Sequence, residues 1–82
     1  MLFYDYVPDV LERRGPHREQ HLGLLRGGGC VMAGVLGEPP HGAAIVFTTR
    51  EEAEAFAAAD PYIEHGLVTG WRIEPWTLAV RN

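Results

Sequence analysis

Apolar and polar positions along the chain change rhythm several times, and each change marks an element. Leu2-Phe3-Tyr4-Asp5-Tyr6-Val7 is apolar on both parities except at Asp5. Such a run, rich in aromatic and β-branched residues, predicts a strand covered on both faces and ended by Pro8. Asp5 is then an edge residue or faces a site. Residues 9–14 form a turn or a short helical lead-in. A helix follows from Pro16, a residue suited to the first helical position because it gives up only an orphan N–H. Leu22 and Leu25 carry its apolar stripe and Leu24 widens it; Gly27-Gly28-Gly29 stops it, with Gly27 as a left-handed C-cap. Residues 30–36 read as a second strand, residues 37–42 with Pro39-Pro40 as a loop, and residues 43–47 as a short third strand. Thr49-Arg50-Glu51-Glu52 has the form of a capping box and opens a second helix that runs to about Ala59. Asp60-Pro61 ends it, because a residue before proline resists the helical region. Residues 61–66 are a loop or one further turn. The last strand spans residues 68–80, with Pro75 at an edge position or bulge.

The predicted order is β-α-β-β-α-β, the ferredoxin-like split βαβ arrangement of an α+β protein: one antiparallel sheet with two helices on one face. The name is topological, since one cysteine cannot hold an iron–sulfur cluster. Helices on one face leave the other bare, and strands apolar on both parities need that face covered. The expectation is a homodimer through the uncovered sheet face. Length supports it: 82 residues make a single domain, residues 1–82, and so short a chain buries only about 60% of its unfolded surface.

Charge and composition narrow the partners. A formal net charge of -4 argues against nucleic acid and anionic lipid, both of which need a basic face. No apolar run approaches the roughly 20 residues of a membrane span. The N-terminus lacks a basic region and a signal-type apolar core, so export is not expected. Cys30 is the one cysteine, which excludes an intramolecular disulfide and fits a reducing cytoplasm. All seven basic residues are arginine, so lysine Schiff-base chemistry is excluded; serine is absent too, which excludes a Ser-His-Asp triad.

The chemistry that remains centres on residues 15–22. His17 and His21 stand at i and i+4 on one helix face, and imidazole moves protons near neutral pH. Arg18, three residues before His21, suits an anionic group beside the imidazole. Asp60-Pro61-Tyr62 is the second candidate segment. Asp60 has two readings, a cap for a helical turn begun by Pro61 or the orienting partner of a histidine, and the two are compatible. His21 likewise reads either as a boundary histidine on an amphipathic helix or as a general acid and base. The i,i+4 histidines also have metal-ligand spacing, with His41, His65 or Asp60 as a third ligand. Without an H-E-x-x-H pattern or a cysteine cluster, no metal site is expected.

Other features have simpler readings. Gly27 to Gly29 follow a helix, whereas phosphate loops precede one. Cys30 enters an apolar strand as a small hydrophobe. Tyr4, Tyr6, Tyr62, Trp71 and Trp76 pack a core or interface, or line a pocket for a planar ligand. Glu51, Glu52 and Glu54 form a solvated helix start that favours the dipole.

Arg18-Glu19-Gln20-His21-Leu22, Ala33-Gly34, the helix 51–59, Ala59-Asp60-Pro61-Tyr62 and Ile73-Glu74-Pro75-Trp76 together resemble the YCII-related (YciI-like) family of small bacterial proteins over nearly the full length. The resemblance implies a dimeric α/β-barrel-type fold and a His-Asp site, which falls here on His21 and Asp60. It also implies kinship with muconolactone-isomerase-type dimers and, among some relatives, lyase chemistry on chlorinated aromatic breakdown products. The loop at residues 37–42 is shorter than the family's pattern.

Two functions follow as expectations. One is an acid–base lyase or isomerase needing no cofactor, with His21 and Asp60 as the catalytic pair and His17, Arg18 and Tyr62 binding a small-molecule substrate. The other is a non-catalytic ligand-binding or interaction module in which the pair ties two helices together. A catalytic imidazole must open onto a pocket; a structural tie need not.

Overall fold

A computed structural model describes all 82 residues. Four strands, β1 (Leu2–Tyr6), β2 (Cys30–Leu36), β3 (Gly42–Phe47) and β4 (Val68–Ile73), form one antiparallel sheet in the order β2-β3-β1-β4. Four helices lie between them: α1 (Val10–Arg13), α2 (Gly15–Gly27), α3 (Arg50–Ala59) and α4 (Pro61–Glu64). Both crossovers, β1 to β2 and β3 to β4, skip one strand, which is the ferredoxin-like α+β arrangement.

Register decides which side chains meet the helices. Leu2 lies opposite Ile45 and Tyr4 opposite Ala43, and all four are buried with Ala53, Phe56 and Ala57 of α3. The alanines on both elements let the helix approach the sheet closely. A smaller cluster of Val10, Tyr62 and Leu67 closes the end beneath α4. The one buried side chain of α2 is His21, while its leucines are half-buried. An imidazole therefore occupies the position that a leucine takes in most amphipathic helices.

The alternate residues of the sheet face outward. Phe3, Ala44 and Gly34 share a row, as do Met32 and Val46, and no element of the chain covers the face they form. Within one chain β1 is thus covered on one side only: Phe3 is half-buried beneath the Arg72 guanidinium, 4.4 Å from its ring centroid, and Asp5 is exposed.

Three details differ from the sequence expectation. The last strand stops at Ile73, not Val80. Met1 and Glu74 exchange the final backbone bonds, at 2.6 and 2.8 Å, and beyond them β1 has no residues to pair with while Pro75 has no N–H to offer. The left-handed glycine after α2 is Gly29, with φ of 80°, not Gly27; a side chain there would also strike the Glu52 carboxylate. The α3 cap forms as expected on its backbone side, with the Glu52 N–H donating to Thr49 Oγ1 at 3.1 Å. The Glu52 carboxylate, however, accepts from the hydroxyls of Thr48 and Thr49, and these bonds lower its pKa.

Candidate active site

The site is built around Asp60, at the joint between α3 and α4. Its extended backbone, with ψ of 120°, breaks the helix ahead of Pro61, and its side chain turns back to start the next one. Oδ1 accepts the Tyr62 backbone N–H at 3.1 Å and faces His21 Nδ1 at 2.9 Å; Oδ2 accepts the Tyr4 hydroxyl at 2.6 Å. Cap and orienting partner are one arrangement. With 1% of its surface exposed, Asp60 has no water to solvate it, so these donors stabilise the carboxylate charge.

The geometry also fixes the imidazole. Because Asp60 Oδ1 is an acceptor, Nδ1 of His21 is the donor, which leaves the Nε2 lone pair free in the neutral ring. The ring stacks on Tyr62 with centroids 3.8 Å apart and planes 3° from parallel, and Phe56 meets it edge-on at 5.7 Å. One hydrogen bond and two aromatic neighbours therefore determine its orientation.

His21 lines a cavity of about 350 Å³, within the range of small-molecule sites. Tyr6, Arg14, Arg18 and Tyr62 share its wall, Leu25 and Ile45 supply apolar surface, and Val35 and Pro40 close the β2 side. Its charged lining consists of Arg14 and Arg18, and neither forms an ion pair. Burial, and then the neighbouring Tyr62, push the Tyr6 phenol up to about 12. Burial also raises Tyr62, against the pull of Arg18 and Arg14, and raises Tyr4 far further with help from its bond to Asp60. All three phenols are therefore neutral donors at physiological pH. A larger hollow of about 440 Å³, between the end of β3 and Trp76, holds no comparable pair; its charged residues Arg50 and Glu74 form exposed ion pairs with Glu54 and Arg72.

The structure thus brings His21, Arg18 and Tyr62 together in the cavity wall, with Asp60 buried behind them and bonded to His21 and to the Tyr62 backbone. It does not bring His17 to the cavity. That ring stacks on His65, at the end of α4, with centroids 4.2 Å apart and planes 12° from parallel. Arg14 and Arg18, on either side of His17 in sequence, reach the cavity, whereas His17 is turned towards α4, so the expectation that it binds substrate is corrected to a contact between α2 and α4. Nowhere do three His, Cys, Asp or Glu side chains converge as a metal would require. Cys30 is half-buried, and burial raises its thiol pKa.

Sequence reasoning missed Arg14 as part of the site and left Tyr4 and Tyr6 open between core, interface and pocket. Tyr4 and Tyr6 share one parity of β1, and their rings meet edge-to-face at 6.2 Å. That parity was the available signal, and it does not separate a core tyrosine from a site tyrosine.

No family model matches the chain, and no curated protein matches it. Among solved structures it is similar to the 5-chloro-2-hydroxyhydroquinone dehydrochlorinase (TftG) of Burkholderia phenoliruptrix AC1100, in complex with 2,5-dihydroxybenzoquinone. The TM-score is 0.67 over 94% of each chain, at 21% sequence identity, and the likeness establishes the ferredoxin-like fold. No helix is long and apolar enough to cross a membrane.

Proposed function

We propose that this chain is a cofactor-independent small-molecule enzyme of the lyase or isomerase type, with His21 as its general base and acid and Asp60 as the residue that positions it. One observation carries the reading: the His21 ring is tied at Nδ1 to Asp60 and lines a cavity large enough for a small molecule. In the proposed step, Nε2 takes a proton from a C–H or O–H group of the substrate. The electron pair left behind forms a new π bond. In a lyase the leaving group departs with its own electron pair; in an isomerase the proton returns at another carbon. Asp60 stabilises the imidazolium formed in between, and Arg18 with the Tyr62 hydroxyl steadies charge that develops on oxygen. Dehydrochlorination, the reaction named for the similar structure, is one case, with chloride as the leaving group. Membership of the YCII-related family and assembly as a homodimer through the open sheet face belong to the same proposal.

The test is turnover of a panel containing 5-chloro-2-hydroxyhydroquinone and unsaturated ring-cleavage lactones, followed by chloride release and ultraviolet absorbance. His21→Gln is expected to lower the rate by about 10²–10⁴-fold, the usual contribution of a general acid–base. A wild-type protein inert towards the whole panel, or a His21→Gln protein that keeps the wild-type rate, removes the support. The rival reading, a non-catalytic ligand-binding module, draws on the bond between His21 and Asp60 as a link from α2 to α4. It predicts binding without turnover.

A further inference from the structure

The hydroxyl of Tyr62 is the one buried side-chain polar atom without a hydrogen-bond partner. Tyr62 is 3% exposed, so solvent does not serve the group, and an unserved buried hydroxyl is destabilising. Tyr62 is one of the residues of the cavity wall, with the unpaired Arg14 and Arg18, and its hydroxyl lies just beneath that wall. The Arg18 guanidinium is the polar group nearest in effect, pulling on the phenol's charge by its own charge and by a weak contact, but the two do not meet within ordinary hydrogen-bond distance and angle.

The polar side chains of this wall are nearly all donors. Two guanidinium groups have no acceptor capacity, and two phenols with raised pKa values keep their protons. The one basic lone pair is that of His21 Nε2. No aspartate or glutamate lines the cavity, although the chain as a whole carries a net charge of -4. A neutral or cationic ligand would leave these donors unmatched. The remaining wall is apolar, from Leu22, Leu25, Val35, Ala43 and Ile45, and has the stacked rings of His21 and Tyr62 beside it.

We propose that the cavity binds a planar, largely apolar small molecule bearing one negatively charged oxygen group, either a ring carboxylate or a ring oxyanion, received by the Tyr62 hydroxyl and the Arg18 guanidinium. This rests on the same cavity as the proposed enzyme but does not require that His21 move a proton. Tyr62 is then the residue that selects for charge. Its hydroxyl is left without a partner in the free protein because the ligand supplies the acceptor.

The test uses binding of unreactive probes, followed by backbone and side-chain NMR shifts of the intact chain. Benzoate is compared with benzamide, and 4-nitrophenolate with 4-nitroanisole. At least one anion is expected to bind about tenfold or more tightly than its neutral counterpart, the usual size of a hydrogen bond to a charged group. Preference for benzoate identifies a carboxylate, and preference for 4-nitrophenolate a ring oxygen; either supports the inference. Tyr62→Phe and Arg18→Gln should each remove most of that preference. Tyr62→Phe keeps the stack on His21 and deletes only the unserved hydroxyl, so it should melt no lower than the wild type. Equal affinity for anion and neutral probe, no binding of any probe, or an anion preference untouched by Tyr62→Phe overturns the inference. These outcomes decide what receives the charged oxygen; whether His21 moves a proton is decided separately by the substrate panel and His21→Gln.

Discussion

Tyr4, Tyr6 and Tyr62 surround one imidazole–carboxylate pair, and they are all the tyrosines in the chain. Burial is the first cause of the raised pKa of each. A phenol whose folded pKa lies above its unfolded value of 10.0 contributes its full stability below that value. The contribution disappears as pH rises through the folded pKa, because the unfolded chain sheds a proton that the folded chain keeps. Stability is therefore expected to hold from neutral pH to about pH 10 and to fall from there towards the Tyr6 value of about 12. The fall is at most about 1.4 kcal/mol per pH unit for each tyrosine still protonated. Urea unfolding midpoints across that range, read beside phenolate absorbance, check the prediction. Phenolate absorbance that rises around pH 10 while the fold stays intact would contradict it.

At the level of elements, turn and cap residues did most of the specifying. Thr49 before an alanine-rich run located the start of α3, and its side chain accepts the Glu52 N–H. Thr49→Ala should lower stability by about 1 kcal/mol, measurable as a shifted urea midpoint with an unchanged slope. Element order was legible for the same reason: Pro8, the Gly27–Gly29 run, Pro39-Pro40 and Asp60-Pro61 each interrupt a periodic segment. His21 and Asp60 were legible as candidates from the helical histidine and the Asp-Pro cap, each with a structural reading beside it, and the family resemblance implied the pair. The rest depended on register, which residue type does not encode. Tyr4 reads as one more aromatic in an apolar strand until its parity is known to face α3. Arg14 sits in a lead-in with no periodicity. His17 shares a face with His21 by spacing, yet four residues overshoot a full turn, and His17 meets His65 instead of the cavity. The overextended final strand shows the same limit, because a strand ends where its neighbour ends.

At the level of the whole molecule, the sheet has two unlike faces, one sealed by helices and one open. Met32, 61% exposed, stands on the open face opposite Val46, with Phe3 and Ala44 nearby. Apolar surface of this kind marks an interface. The proposed homodimer is expected to become a monomer on Met32→Glu, which sets a charge within the face at a residue that does not line the His21 cavity. Light scattering checks this; a variant with the same mass as the wild type contradicts it. On the sealed side, the walls of the cavity divide the site's duties along the chain. The proposed proton handling rests on α2 and the α3–α4 joint, whereas Val35 of β2 and Pro40 of the following loop line another part of the cavity and make no hydrogen bond to His21 or Asp60. Substitutions in that wall can reshape what fits without disturbing the reactive pair. Ligand preference in such a scaffold is free to drift under selection while its chemistry is inherited unchanged.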